Sequence, residues 1–266
     1  MPVARLENLV ASATERVRLL QSQARHLEAQ VARSPVPPSF DPTPRDRTVG
    51  IIAEIKRRSP SAGAIQDRLD PAHHARAYAA GGAVAISVLT EESGFGGSLE
   101  DLRSVCRAVR VPVLRKDFIL DELQLLETRA AGAAGVLLIA RILPTDRLRD
   151  LARAAAGLGL RALVETHTSH ELEAALSAGA TLVGINSRDL DDFTVDLTVI
   201  ERLLPGVPAE VTVVAESGME NRRDVERLAR AGADAVLIGA AVARSDDPRA
   251  AVAGLVGVPR QVRNAR

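Results

Sequence analysis

The stretch Val49-Gly-Ile-Ile-Ala-Glu-Ile-Lys-Arg-Arg-Ser-Pro60 decides the architecture. Its first half, Val49 to Ile55, is largely apolar on both faces and too short for a helix, as a buried parallel strand should be. Its second half is charged and holds no glycine. An open doubly wound sheet normally carries a Gly-rich turn after its first strand, so this stretch argues against that alternative. Similar runs follow at Ala83 to Leu89, Val111 to Leu114, Ala134 to Ile139, Ala162 to Val164, Thr181 to Ile185, Val211 to Val214 and Ala235 to Ile238. Together they make eight, the strand count of an α/β protein of the (β/α)8 barrel class.

The segments between these runs have helical spacing and start signals. Asp121 precedes Leu123, Leu125 and Leu126; Thr168 and Glu171 are spaced as a capping box; Asn221 opens the stretch with Val225 and Leu228. Ala-Gly pairs at 80–81, 131–132, 178–179 and 231–232 stand just before strands, where a helix C-cap wants glycine. Residues 4–33 form a separate helical region, with Leu6, Leu9, Val10, Val17, Leu20, Leu27 and Val31 among many charges, and Pro35 to Pro44 cannot continue it. The expected organisation is therefore an N-terminal helical extension, 1–47, packed against the barrel or lying over its mouth as a lid, and one barrel, 48–266.

Of the 34 basic residues, 32 are arginine and two are lysine, Lys56 and Lys116. Arginine stays protonated at any working pH, whereas a desolvated lysine can give up its proton, so the two lysines are the first places to look for chemistry. The 34 acidic residues balance the basic ones, so no broad field recruits nucleic acid or an anionic membrane. The longest apolar run, Ala130 to Ala140, falls well short of the roughly 20 residues that span a bilayer. Arg5 and Glu7 interrupt any signal-peptide core. Cys106, the single cysteine, excludes an internal disulfide and a thiolate metal site, and its neighbours Leu102, Val105 and Val109 mark it as core. The pairs His73/His74 and His167/His170 lack a third ligand at suitable spacing and fall at helix starts or on helix surface, so no metal is expected. A soluble cytoplasmic protein is the default.

In a barrel of this class the active site lies at the C-terminal ends of the strands. There the first run ends in Glu54 and Lys56, the third in Lys116 and Asp117, the fifth in Glu165, the sixth in Asn186 and Arg188, and the seventh in Glu216 and Ser217. Ion pairs that merely cap the rim are the plain alternative. Gathering so many charges for that purpose alone is unfavourable, because imperfect pairing does not recover the desolvation of each. After the seventh and eighth runs come Ser217-Gly218-Met219 and Gly239-Ala240-Ala241. Glycine lets a ligand approach the backbone, and N–H groups at these two loops commonly form a barrel phosphate site, so a phosphorylated small molecule is the expected substrate.

Ile52-Ala-Glu-Ile-Lys-Arg-Arg-Ser-Pro-Ser61, Gly96-Gly-Ser-Leu-Glu-Asp-Leu102, Leu114-Arg-Lys-Asp-Phe-Ile119, Val164-Glu165, Gly184-Ile-Asn-Ser-Arg-Asp-Leu190 and Ala215-Glu-Ser-Gly218 closely resemble, in order, the indole-3-glycerol phosphate synthase family. The resemblance runs from about residue 50 to 250. It implies a cofactor-free ring closure of 1-(2-carboxyphenylamino)-1-deoxyribulose 5-phosphate with release of carbon dioxide and water. By the same resemblance Lys116 is the general acid at the substrate carbonyl and Glu165 its companion acid/base. Glu54 and Lys56 are a catalytic and binding pair, Asn186 orients the substrate, Arg188 lies near the anthranilate carboxylate, and Glu216 and Ser217 complete the site. Ser59, Gly218 and Gly239, with neighbouring Ile238 and Ala240, correspond to the phosphate end. Phe95 and Phe118 are walls for the benzene ring or members of the core.

Two departures stand out. Gly239-Ala-Ala-Val-Ala243 takes the place of Gly-Glu-Ser-Leu-Met or Gly-Ser-Ser-Leu-Met, which keeps the backbone donors and loses a side chain that could touch phosphate. Ser187 replaces a frequent asparagine, with no effect expected. Residues 1–47 carry little of the resemblance. A Schiff-base aldolase on the same scaffold would also need a strand-end lysine, and an inactive phosphate-binding barrel partner is the non-enzymatic alternative. Phosphoribosylanthranilate isomerase fits less well, because its cysteine acts at a strand end and Cys106 falls on a helix. Association with other tryptophan-pathway enzymes stays open, as does the division of acid roles between the two lysines.

Overall fold

The computed structural model describes residues 6–59, 63–66, 69–189 and 193–263. Pro60, Ser61 and Leu190 of the motifs, and Ala4 and Arg5 of the expected helix, lie outside the described residues. The barrel strands are β1 (Gly50–Ile55), β2 (Ala85–Leu89), β3 (Val113–Lys116), β4 (Gly135–Ile139), β5 (Arg161–Thr166), β6 (Leu182–Asn186), β7 (Thr212–Glu216) and β8 (Ala235–Ile238). Each pairs in parallel with its neighbours, and β8 returns to β1, so the sheet closes without an edge.

Alternation within the strands sorts side chains to two sides. Ile52, Ala85, Leu114, Leu137, Leu163, Leu182, Val214 and Ala235, one from each strand, share one buried cluster inside the barrel. Phe40 joins them from below, packed against Gly135 and holding the Arg161 guanidinium on its carbonyl oxygen. Residues of the opposite parity, such as Ile51, Ala53, Val88, Val213 and Val236, pack outward against Val105, Leu228 and other helical residues. Truncating a buried leucine or isoleucine of either set to alanine typically costs about 2–5 kcal/mol.

Two residues beyond the inward apolar layer, on the same face, come Glu54, Lys116, Glu165 and Glu216. The strands therefore end later than hydrophobicity alone suggests. Lys116, Glu165, Asn186 and Glu216 belong to β3, β5, β6 and β7 rather than to the loops that follow. An apolar run stops where the polar layer begins, but the ladder hydrogen bonds continue through it.

The helices around the barrel are α3 (Pro71–Ala80), α4 (Leu99–Ala108), α5 (Glu122–Ala130), α6 (Thr145–Gly157), α7 (Ser169–Ser177), α8 (Thr198–Leu203), α9 (Arg222–Ala231), α10 (Ala240–Ala243) and α11 (Pro248–Ala253). Asp121 and Asn221 cap α5 and α9 with full capping boxes, using Gln124 and Asp224; an N-cap is worth about 1 kcal/mol. At α7 only half of the expected box forms. Thr168 accepts from Glu171 N–H, but the Glu171 carboxylate accepts from the His167 N–H instead of the cap residue. Gly132, Gly179 and Gly232 are left-handed as expected, whereas at the first Ala-Gly pair the left-handed residue is Gly82 (φ 99°).

The N-terminal region is two helices, α1 (Leu6–Gln21) and α2 (Ala24–Arg33), both packed on α5. Leu9 and Ala13 of α1 are buried in the cluster that contains Phe118 and Ile139. Arg16 donates to Glu127 of α5 at 3.0 Å and lies 3.7 Å from Asp117. A short antiparallel pair of two-residue strands, Arg58–Ser59 with Gly63–Ala64, follows β1 and was not visible in the sequence pattern.

Two further expectations change. His167 and His74 are both buried rather than on helix surface: His74 Nδ1 lies 3.0 Å from the Asp70 carbonyl oxygen, and His167 contacts Glu171. Among the described residues no three His, Cys, Asp or Glu side chains converge on a point suited to a metal ion. No described helix is long and apolar enough to cross a membrane.

Candidate active site

A cavity of about 640 Å3 opens at the C-terminal ends of the strands. Glu54, Lys56, Lys116, Glu165, Asn186, Glu216 and Ser217 line it, together with Ser59, Phe95, Phe118, Arg188, Gly218, Ile238, Gly239 and Ala240. The folded chain thus brings together around one cavity every residue expected to act on or bind the substrate.

Lys116 occupies the centre. Its Nζ donates to Glu165 Oε2 at 2.7 Å and to Glu216 Oε2 at 3.1 Å, with both carboxylates almost fully buried. Burial by itself would lower the ammonium, but the carboxylates of Glu165, Glu216 and Glu54 outweigh it and hold Lys116 above its ordinary range. The two glutamates divide. Burial would raise Glu165, yet Lys116 and His167, helped by hydrogen bonds from Lys116 and Asn186, hold it down at about 2. Burial pushes Glu216 up to about 8, with the Glu165 charge adding to the shift and Lys116 opposing it. One cation cannot fully balance two buried anions, so one carboxyl stays ionised and the other keeps its proton. Glu216 Oε1, buried and without a hydrogen-bond partner among the described residues, fits the neutral form.

Glycine makes room for this layer. A Cβ on Gly184 would overlap Glu216 Oε1, and one on Gly239 would overlap Glu54 Oε1. Lys56 Nζ is 2.5 Å from Glu54 Oε1, a second cation–carboxylate pair at the mouth. Arg188 N–H donates to Asn186 Oδ1, and its guanidinium donates to the Phe193 carbonyl, both at 3.0 Å, so the loop after β6 folds back on itself.

After β7, Ser217 and Gly218 are both left-handed, at φ 66° and 81°. Left-handed serine is strained. Ser187 Oγ donates to the Ser217 carbonyl at 3.0 Å and supports the turn, so the serine expected to be neutral has a structural task. The Gly239-Ala240-Ala241 turn faces the same cavity with backbone and methyl groups.

Sequence reasoning missed several groups. Phe193 and Arg244 line the cavity, and His167 lies behind Glu165. Period-two counting could have found His167, since Leu163, Glu165 and His167 share parity. Phe193 carried a weaker signal, an aromatic in a polar loop five residues past Arg188. Conversely, Asp117 borders the cavity but its carboxylate is engaged outside the barrel, with Arg115, Thr90 and the Phe118 N–H.

A family model described as indole-3-glycerol phosphate synthase matches residues 4–255. The chain belongs to this family. A protein of that name from Nocardioides sp. is 48% identical over 255 residues, covering 95% of this chain and 98% of the relative. One from Kineococcus radiotolerans is 53% identical over 216 residues, covering 80% and 79%. Among solved structures, thiamine phosphate pyrophosphorylase from Pyrococcus furiosus superposes with a TM-score of 0.60 at 18% identity, over 79% of this chain and 95% of that one. That likeness concerns the fold alone. The family match begins at residue 4, so it takes in the α1 and α2 region that the motifs did not reach.

Proposed function

We propose that this barrel closes the indole ring of 1-(2-carboxyphenylamino)-1-deoxyribulose 5-phosphate, with Lys116 as the acid and Glu165 as the acid/base. The observation that carries the assignment is Lys116 Nζ held between Glu165 and Glu216 on the cavity wall. The ring carbon bearing the carboxylate attacks the ketone carbon. As that bond forms, the carbonyl π pair moves onto oxygen, and Lys116 supplies the proton or a strong hydrogen bond. Loss of carbon dioxide leaves its electron pair in the ring and restores aromaticity. Departure of the resulting hydroxyl as water needs a second proton at that oxygen and removal of one from the adjacent methylene. Glu165, ionised and beside the lysine, is suited to take it. Glu54 and Lys56 form the second pair at the mouth, within the same cavity.

The other named residues position the substrate. Asn186 holds the carboxylate of Glu165, Arg188 faces the anthranilate carboxylate, and Phe95 and Phe118 flank the benzene ring. The turns at Ser217-Gly218 and Gly239-Ala240, with Ser59, receive the phosphate. The segment 1–47 packs on α5, and Leu9 and Ala13 of α1 share a buried cluster with Phe118 and Ile139, so α1 backs that side of the cavity wall.

A Schiff-base lysine must lose its proton to attack a carbonyl. Lys116 is held in the protonated form, so the aldolase alternative runs against the electrostatics of the site. The assay is direct: purified protein is incubated with the carboxyphenylamino-deoxyribulose phosphate and indole fluorescence is followed. Product formation is expected, together with no borohydride-trapped adduct; a folded barrel that yields no indole product overturns the assignment.

A further inference from the structure

Behind the lysine–glutamate pair lies a second row of charges that the ring-closure chemistry leaves unused. His167 follows β5 on the inward parity of Leu163 and Glu165 and is buried. Its Nε2 points at Glu165 Oε1, 3.5 Å away, and makes no hydrogen bond among the described residues. On the other side Nδ1 lies 3.1 Å from Glu171 Oε2, and the same oxygen accepts the His167 backbone N–H at 2.6 Å. Glu171 Oε1 in turn accepts from Arg141 Nε at 3.3 Å. The imidazole is therefore fixed by a carboxylate on α7 and aimed at the carboxylate on β5.

We infer that His167 is a positioning residue, which, anchored by Glu171, orients the Glu165 carboxylate and sets how strongly it takes a proton. This rests on the reading of Glu165 as the acid/base. The reason is the moment of proton transfer. Glu165 Oε2 leans on the Lys116 ammonium, and when Lys116 gives its proton to the substrate that support disappears. A carboxylate left buried alone would take any available proton. An imidazolium at Oε1 keeps Glu165 ionised and still available as a base. The charged groups that face the ring are Glu165 from β5, Glu171 from α7 and Arg141 from the turn after β4. Burial disfavours the imidazolium, but Glu171 and Glu165 outweigh burial and Arg141 and raise His167 above its ordinary value.

Two measurements test this. First, the His167 ring is titrated by 15N NMR in the wild type, in Glu165→Gln and in Glu171→Gln. Removing an anion should lower the His167 pKa in both variants, and an unmoved titration in Glu165→Gln overturns the inference without reference to turnover. Second, kcat and KM are followed against pH. His167→Ala should lose about tenfold or more in kcat with KM within about twofold, the pattern of a misplaced catalytic group. His167→Gln keeps a fixed donor that does not titrate, so it should regain part of kcat and lack the basic limb due to imidazolium loss. Glu171→Gln should move that limb to lower pH. A purely structural histidine would lower the melting temperature and leave the pH profile unchanged. Wild-type activity combined with the same basic limb in His167→Gln removes this inference alone; absent wild-type activity removes the synthase assignment and leaves the NMR titration to decide the contact.

Discussion

Arg115 and Lys116 are neighbours in sequence and opposite in circumstance. Arg115 points out of the barrel, has no exposed surface and is held by Asp117, Glu127, Thr90, Thr128 and the Gln124 carbonyl oxygen. Lys116 points in, partly exposed to the cavity, between two carboxylates that shift in opposite directions. A planar fork suits the first place and a compact, titratable amine the second. Lys116→Arg should therefore keep the charge and cut turnover by at least about a hundredfold, the usual scale of general acid catalysis, with little change in melting temperature; near-normal turnover would mean the residue serves only as a charge. Gly184→Ala probes the same layer from the wall. Its methyl would collide with Glu216 Oε1 and must push that carboxyl aside, so overpacking should cost about 1–3 kcal/mol in a denaturant titration and displace Glu216. At this scale the sequence was most legible where residue usage was biased: two lysines in a chain that otherwise uses arginine. It was least legible at His167, where the following helix start competed with the strand parity for the same residue.

The elements were read well where periodicity is local and poorly where a partner decides. Eight strands follow from eight apolar runs, but β3, β5, β6 and β7 reach further, because ladder hydrogen bonding does not stop when side chains turn polar. For α1 and α2 spacing predicts helices, whereas the surface they cover is a tertiary fact. That surface is a buried charge cluster: Arg115 and Arg16 share Asp117 and Glu127, with Arg16 contributed by α1 across more than a hundred residues of chain. Removing either cation leaves two buried carboxylates facing one guanidinium. Arg16 is partly exposed, so Arg16→Ala should cost about 1–2 kcal/mol in urea unfolding, against about 3–5 kcal/mol for Arg115→Met, which is wholly buried. Equal effects from the two would mean that α1 does not share in the cluster.

Stacked as a whole, the barrel interior is an apolar plug, one residue from each strand, beneath a layer of buried charge. Such a layer makes global stability depend on pH through groups far from the surface, which no count of charges could reveal in a chain with 34 of each sign. Glu165 falls from 4.5 to about 2 in the folded state, so its contribution is complete above pH 4.5 and disappears as pH falls through 2. Glu216 moves the other way, from 4.5 to about 8. The folded protein keeps a proton that the unfolded chain has released, so this contribution is complete below pH 4.5 and is lost as pH rises through 8. Raised His167 has the same sign, present below 6.5 and lost as pH climbs past its folded value. Together they place the optimum of the charged layer near pH 4.5, where the first contribution is complete and the other two have not begun to fall. Glu216→Gln isolates the second contribution, because glutamine resembles the protonated acid and does not titrate. Measured between pH 5 and 9, the melting temperature of the wild type should fall progressively relative to that of Glu216→Gln. Parallel curves would mean that Glu216 ionises normally in the folded protein and that Lys116 balances both carboxylates, which the orphaned Glu216 Oε1 argues against.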